Sequence, residues 1–392
     1  RSSLSKRRTS SCVSKPHAKQ NTSAEPSSNR SHGGTASRPD GCALSPSLEA
    51  CDRLHSPLET VIVTAQKQRY DIPPYSEGWF QIGWSDQLAP GQLRQLHHFG
   101  RTYVLFRGKN GEAAVLDDIC PHLGAHLSQG GCVKGNSVRC PYHHWAFDSK
   151  GICTDIPYSK KIPIKAKIRS HTVVERYGMI FMYRNKAGTA PDYELPRIEN
   201  FDASEYMPPE TFEYNVNIHG QDIMENSVDS PHFAAVHGHS MPVNTFRSEG
   251  SQLWVTQQAS VRRFGRTLKF RLEFHMIEPG FHYVYFPDMP GPPAHVFSSI
   301  VPVDENSVIH RMSIRIKKTR VKFVSKIFRR FLLWQMLSTY HEDMQIWESK
   351  EYLRHPVLCD GDGSIIKLRN WYKLFYDPEG PSPKLQVLSS RS

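Results

Sequence analysis

Four residues in the sequence have the types and spacing to bind metal: Cys120 and His122, then seventeen residues, then Cys140 and His143. The pairs read Cys-x-His and Cys-x2-His, so two short loops can face one another with two ligands apiece. Thiolates and imidazoles suit tetrahedral zinc. They equally suit a [2Fe–2S] centre with two thiolates on one iron and two imidazoles on the other. The Cys-x-His pair is tighter than zinc-finger spacings, which favours the cluster, although ligand type alone leaves zinc open. Gly130 and Gly131 supply backbone freedom between the halves. A second group follows, Asp229, His232 and His237, spaced Asp-x2-His-x4-His. Two histidines and one carboxylate hold mononuclear Fe(II) and leave positions open for oxygen. On a regular helix, residues five apart point ~140° away from each other. The spacing therefore predicts an irregular backbone, a π-turn or a break near Pro231, that aims both imidazoles at one ion.

The stretch Cys120-Pro-His-Leu-Gly-Ala-His-Leu, then Gly-Gly, then Cys140-Pro-Tyr-His-His-Trp-Ala-Phe-Asp closely resembles the cluster motif of the Rieske non-heme iron oxygenases. That family has Gly after its last histidine, where this chain has His144. His143 keeps the two-residue gap and is the expected ligand. Cys132 and Cys153 fall outside the pattern and are expected to be structural thiols. The resemblance implies a third ligand to the mononuclear iron, an Asp on a long C-terminal helix. Within Tyr340–Trp347 it assigns Asp343, with Glu342 the alternative. It assigns Asp229 as a bridging carboxylate that bonds the outer imidazole nitrogen of His232 and reaches a cluster histidine of a neighbouring subunit. Electrons would then pass His143, Asp229 and His232 across a head-to-tail homotrimer.

The segments Cys153-Thr-Asp-Ile-Pro-Tyr-Ser and Lys161-Ile-Pro, with Ile346-Trp, Lys350, Tyr352-Leu and Pro356, resemble the steroid-acting branch. That branch holds the Neverland cholesterol 7-desaturases and the 3-ketosteroid 9α-hydroxylases. Cys-Pro-His-Leu-Gly-Ala and Gly-Gly-Cys-Val are closer to Neverland. The resemblance implies 7,8-desaturation of a sterol, cholesterol, with O2. Steroid hydroxylation of the 9α type is the alternative. A Rieske electron carrier is a third reading, but a carrier has no need of Asp-x2-His-x4-His. No Gly-x-Gly-x-x-Gly, Walker or plant-type ferredoxin pattern occurs, so NAD(P)H electrons are expected through a separate reductase or ferredoxin.

The elements that must position these groups follow from periodicity. Short β-type runs at Tyr103–Phe106, Ala113–Leu116 and Met179–Tyr183 are bounded by Gly, Asn and Asp. Thr211–Ile218 alternates like a strand and precedes a helix from about Gln221. Leu268–Phe274, Phe281–Phe286 and Val308–Ile316 read as strands, and 321–353 has helical spacing. A β-rich Rieske domain over 73–186 and an α+β, helix-grip-like catalytic domain over 187–392 are predicted. Along Phe281–Phe286, one alternating face is available to line a sterol-sized pocket, or simply to pack in the sheet's core.

At 392 residues the chain has room for two or three domains. Eight cysteines and no secretory pattern point to a reducing compartment. No run of ~18 apolar residues occurs, which excludes a multi-pass membrane protein. A start at Arg1 rather than Met is that of a fragment or processed form, from which an N-terminal anchor could have been lost. Part of the net charge of +11 lies at the start, where residues 1–70 hold eleven Lys/Arg against five Asp/Glu. Residues 1–72 are predicted to be a disordered Ser/Arg-rich tail, with a transit peptide as the alternative. A second basic run, Arg315–Arg330, interleaves Phe323, Ile327, Phe328, Leu332 and Trp334 at helical spacing. It reads either as an amphipathic helix packed on the core or as one that touches an anionic membrane or an acidic redox partner. No nucleic-acid motif supports a third use. Membrane association at the cytoplasmic face of the endoplasmic reticulum is what the resemblance implies, with a cytoplasmic or mitochondrial site as the alternative.

Overall fold

The structure, a computed structural model, describes residues 70–198, 201–263, 265–288, 291–362 and 365–376. The predicted tail lies outside them up to residue 69. The first region is β-rich. Its strands are β1 (Gly78–Trp84), β2 (Leu93–His98), β3 (Arg101–Arg107), β4 (Ala113–Asp117), β5 (Cys132–Lys134), β6 (Ser137–Arg139), β7 (Ala146–Phe147), β8 (Cys153–Asp155), β9 (Ser170–His171), β10 (Val173–Arg176) and β11 (Met179–Arg184). They form three sheets, ordered β1-β11-β10, β2-β3-β4-β9 and β5-β6-β7-β8. The runs read from sequence are the cores of β3, β4 and β11, with one to three more residues recruited by the ladder.

The second region is built on one antiparallel sheet. Its strands are β12 (Glu210–Val216), β13 (Val243–Glu249), β14 (Gln252–Arg263), β15 (Arg266–Glu278), β16 (Phe281–Phe286), β17 (Ala294–Pro302) and β18 (Val308–Ile316). The order β12-β18-β17-β16-β15-β14-β13 brings the first strand back beside the last. Register aligns Val255, Phe274, Val284, Val296 and Ile314 in one row across five strands, all buried. Such rows of β-branched and aromatic side chains are what hold a sheet to its covering layer. On the other face Phe281, Ile277 and Phe297 pack against Trp79, Trp84 and Phe181 of β1 and β11. Arg311 of β18 donates to the Gln81 carbonyl at 2.9 Å, joining the two regions.

Among the described residues four α-helices complete the fold: α1 (Gly220–Asn226), α2 (Ser230–Ala235), α3 (Lys322–Trp347) and α4 (Ile365–Lys373). Sequence periodicity carried α3 to residue 353; it ends at Trp347, where Glu348 caps it. Leu332, Tyr340, Asp343 and Trp347 recur at helical spacing and are buried. The basic run divides. Arg315 is buried at the end of β18, with its guanidinium over Phe297 at 5.0 Å. Lys317 and Arg329 pair with Glu205 and Glu210. Of the interleaved apolar residues only Phe328 and Leu332 are buried, whereas Phe323, Ile327 and Trp334 are exposed.

Candidate metal centres

The cluster motif occupies two loops, one after β4 and one between β6 and β7, and both close the same way. The Cys120 N–H donates to the Ala125 carbonyl at 2.8 Å, and the Cys140 N–H donates to the Trp145 carbonyl at 2.9 Å. The Cys120 carbonyl accepts from Gly124 N–H at 3.0 Å, and the Cys140 carbonyl accepts from His144 N–H at 3.1 Å. Two matching turns therefore present two matching pairs of side chains. At Gly131 an added Cβ would collide with the Leu127 carbonyl, so this close approach of the loops requires glycine.

Cys120 and Cys140 are buried at the base and hydrogen-bonded to each other. That bond, helped by the Tyr142 and His143 N–H groups, pushes the Cys140 thiol down to about 6. The same bond, with burial, pushes Cys120 up. His122 and His143 sit at the rim with ring centroids 4.7 Å apart, and His122 stacks on Trp145 at 4.5 Å. His143 Nδ1 is buried with no hydrogen-bond partner. Sulfurs together, imidazoles together and an unsatisfied ring nitrogen are a donor set that fits a two-iron, two-sulfur centre. His144 stands in left-handed backbone, φ +61°, and is exposed. This is the conformation that glycine adopts freely, so the family's Gly is explained by the turn. Cys132 and Cys153 lie on β5 and β8, and Cys153 is buried in the same apolar cluster as Cys120 and Cys140.

The second centre joins α2 and α3. His232 Nε2 and His237 Nε2 are 2.9 Å apart, and Asp343 Oδ1 lies 3.0 Å from the first and 3.2 Å from the second. Among the described residues these form the one group of three or more metal-ligating side chains converging within 4.8 Å. Two ring nitrogens and one carboxylate oxygen aimed at a shared point fit a single ferrous ion with open positions. The backbone solution is neither a π-turn nor a break at Pro231. Pro231 lies in the first turn of α2, where its missing N–H costs nothing. The helix instead ends at Ala235, and Gly238, φ +63°, turns the chain so that His239 N–H reaches the Phe233 carbonyl at 3.0 Å. His237 thus leaves the helical path and faces His232.

Burial pushes the Asp343 carboxyl up, but the bonds from His232 and His237 outweigh it and hold the group below its usual range. Burial likewise lowers His237, yet its bonds to Asp343 and Glu342 leave it raised. Glu342, the alternative ligand in the sequence reading, accepts from the outer nitrogen, Nδ1, of His237 at 2.8 Å. Neighbouring helix positions point ~100° apart. One acid therefore meets the inner side of the imidazole pair and the next its outer side. Asp229 departs from expectation. Its Oδ1 accepts from the His232 backbone N–H at 3.4 Å, capping α2, rather than from the ring. An Asp at this cap has the helix's free N–H groups nearest to it. Burial raises its carboxyl pKa.

From the triad an apolar cavity of about 660 Å³ runs between α3 and the sheet. His282, Val284 and Phe286 of β16 line it, while Phe281 and Tyr283 pack the opposite face. Its buried polar groups were not legible in the sequence, being scattered over three strands and α3. Ser298 Oγ meets His310 Nε2 at 2.7 Å, His310 Nδ1 meets the Tyr340 hydroxyl at 3.1 Å, and His282 Nδ1 has no described partner.

Residues 78–171 match the Rieske [2Fe-2S] domain family, and residues 182–376 match the 3-ketosteroid 9alpha-hydroxylase C-terminal domain. Cholesterol 7-desaturase nvd 1 of Ciona intestinalis is 30% identical over 338 residues, 79% of this chain and 71% of that protein. The oxygenase component of a 3-ketosteroid-9-alpha-monooxygenase from Rhodococcus rhodochrous is 29% identical, over 77% of this chain and 83% of its own. NdmA of Pseudomonas putida CBB5, solved with caffeine, superposes with TM-score 0.63 at 18% identity, covering 75% of this chain and 89% of that one, and shows the shared fold. A chain of this kind carries a Rieske cluster and a mononuclear iron, and is fed from NAD(P)H by a separate reductase. The identity to the Ciona protein, sustained across both regions, makes the chain an enzyme of the Rieske non-heme iron oxygenases, in the branch that holds the cholesterol 7-desaturases and the 3-ketosteroid 9α-hydroxylases.

Proposed function

We propose that the protein is a sterol 7,8-desaturase, and that cholesterol is its substrate. The observation that carries this reading is the cavity: apolar, about 660 Å³, and ending at the His232–His237–Asp343 group. A volume of this size suits one compact apolar ligand, whose binding free energy comes from burial. In the reading proposed, Cys120, Cys140, His122 and His143 hold the cluster, and His232, His237 and Asp343 hold the iron. Glu342 fixes the tautomer and ring plane of His237. Asp229 anchors the start of α2 and so sets where His232 points. Electron passage from His143 of one subunit through Asp229 to His232 of the next, in a homotrimer, is part of the same proposal. So are the domain limits 73–186 and 187–392, and attachment to a cytoplasmic membrane face.

Bound iron supplies the chemistry of O2 reduction at this site. The chain's own residues do the rest. The cavity walls exclude water, and Val284, Phe286 and Phe274 hold the ring system against the triad, so that proximity selects the carbon attacked. The balance is one O2, two electrons from NAD(P)H and two protons, with two hydrogens leaving the sterol and two waters formed. Cholesterol deuterated at carbons 7 and 8, incubated with a reductase and O2, should lose one deuterium from each carbon and give 7-dehydrocholesterol by mass spectrometry. The match to the 3-ketosteroid 9alpha-hydroxylase domain favours one second reading. Retention of the carbon 8 label with oxygen gained at carbon 7, or turnover of a 3-ketosteroid alone, would establish a hydroxylase instead.

A further inference from the structure

The N-terminal half of α3 has two apolar faces, and only one of them has a partner among the described residues. Phe328 and Leu332 are buried against the sheet. Phe323, Ile327, Phe331 and Trp334 are 69%, 53%, 48% and 59% exposed. At 100° per residue these four fall within an arc of about 80°. Lys326 and Arg330 border that arc on one side; both are exposed, and no described acid pairs with either. Exposed aromatic and aliphatic clusters of this kind mark interaction sites rather than ordinary surface.

The position of the patch narrows what covers it. Phe331 and Trp334 are exposed and also line the cavity, as does Leu268 of β15. The patch is therefore continuous with the rim of the cavity's mouth. Arg266, on the same face of β15 as Leu268, is exposed as well. A folded protein seated on this rim would close the mouth against the ligand. A bilayer would leave it open on a medium in which an apolar ligand is already dissolved. Aromatic side chains with Lys and Arg at their border suit the boundary between acyl chains and anionic headgroups. No helix among the described residues is long and apolar enough to cross a membrane.

We infer that the exposed face of α3 around Phe323, Ile327, Phe331 and Trp334 docks on an anionic phospholipid bilayer, with the cavity mouth opening into it. The inference rests on the sterol reading for the ligand that passes, but not for the docking itself.

The test uses the full iron-loaded chain and sterol-free vesicles of phosphatidylcholine, with and without phosphatidylserine. Sedimentation should carry the protein down with the anionic vesicles. Phe323→Ser with Ile327→Ser removes apolar contact without touching the cavity lining, and should weaken binding by about tenfold or more. Lys326→Glu with Arg330→Glu should weaken it by about tenfold on anionic vesicles and little on neutral ones. Iron retained at about three per chain, so that the triad joining α2 and α3 stays loaded beside the cluster, shows that each variant is folded. Both variants should turn over vesicle-borne cholesterol about tenfold more slowly, yet handle cyclodextrin-delivered cholesterol as the parent does. Absence of parent binding, or binding that survives both variants, overturns the inference. So does an effect of Phe323→Ser with Ile327→Ser on self-association or reductase docking with vesicle binding intact. Loss of vesicle binding in the variants, with no cholesterol product from the parent by either delivery, upholds the docking and overturns the sterol reading.

Discussion

The four side chains of the cluster site come from two loops that close with the same hydrogen bonds, whereas the triad joins residues far apart in the chain: His237 meets Asp343 across 106 positions. The first centre is encoded locally. Each Cys-x1–2-His loop brings its own sulfur and imidazole, and the sheet need only set the loops face to face. The second centre is tertiary. α2 supplies one histidine, the chain just beyond it another, and the register of α3 decides which carboxylate arrives. A local site tolerates drift in the surrounding fold, while a tertiary one reports on it.

The largest effect expected from this contrast is selective unloading. Asp343→Ala should drop iron from about three per chain to about two and abolish turnover, with the cluster EPR signal unchanged. Cys140→Ser should do the reverse at the other site, losing the cluster while α2 and α3 keep their ion. Iron analysis with EPR reads both. If Asp343→Ala also emptied the cluster, the two centres would not be independently built.

A smaller effect separates binding from transfer. Asp229→Asn keeps an acceptor for the His232 N–H, so α2 keeps its cap. Both metals should remain, and turnover should fall about 100-fold, the upper range for groups that act through a ligand. Loss of mononuclear iron in this variant, with Asp343→Ala still loaded, would exchange the roles of the two carboxylates.

These assignments also show what the sequence could hold. The cluster loops were legible because ligand spacing, prolines and glycines all lie within one short stretch. The strands were legible where alternation met Gly, Asn or Asp, as at Ala113–Leu116 and Phe281–Phe286. The path between His232 and His237 was not, because the turn depends on Gly238 and on the bond from His239 N–H to the carbonyl of Phe233, six residues before it. The split of α3 into a packed and an exposed apolar face was invisible as well. Phe323 and Phe328 look alike in a periodic pattern, and only the extent of the sheet beneath decides which is covered.

Smaller again is a change of potential confined to one site. His143→Cys replaces a neutral ligand with an anionic one. It should lower the cluster's potential by on the order of 200 mV, since all-thiolate [2Fe–2S] centres lie well below Rieske centres. Electron delivery should slow while the triad keeps its iron. An unchanged potential on a redox titration would point to His144 as the ligand, against its exposure and its left-handed backbone.

The smallest expected effect is a difference in acid stability between the regions. Burial, the leading cause in each case, pushes His275, His282 and His295 down to about 4 and His310 down to about 3, all in the catalytic sheet. Within residues 78–171 only His98, lowered to about 3, is comparable among the described residues. A histidine whose folded pKa lies below its unfolded value of about 6.5 takes up its proton on unfolding. Stability is then full above 6.5 and falls as pH drops toward the folded value. At pH 5 each such residue costs about 2 kcal/mol, so four in one sheet weigh against a total stability of about 5–15 kcal/mol. The catalytic sheet should therefore open first on acidification, with a midpoint about one pH unit above that of β2–β4. Hydrogen exchange followed by region between pH 7 and 4 measures it. His282→Leu removes one proton site whose Nδ1 has no described partner, and should shift the catalytic midpoint down by a few tenths of a unit, about a quarter of the four-residue effect. Simultaneous opening of both regions would mean that the packing of Trp79 and Phe181 against Phe281 couples them more strongly than the buried imidazoles separate them.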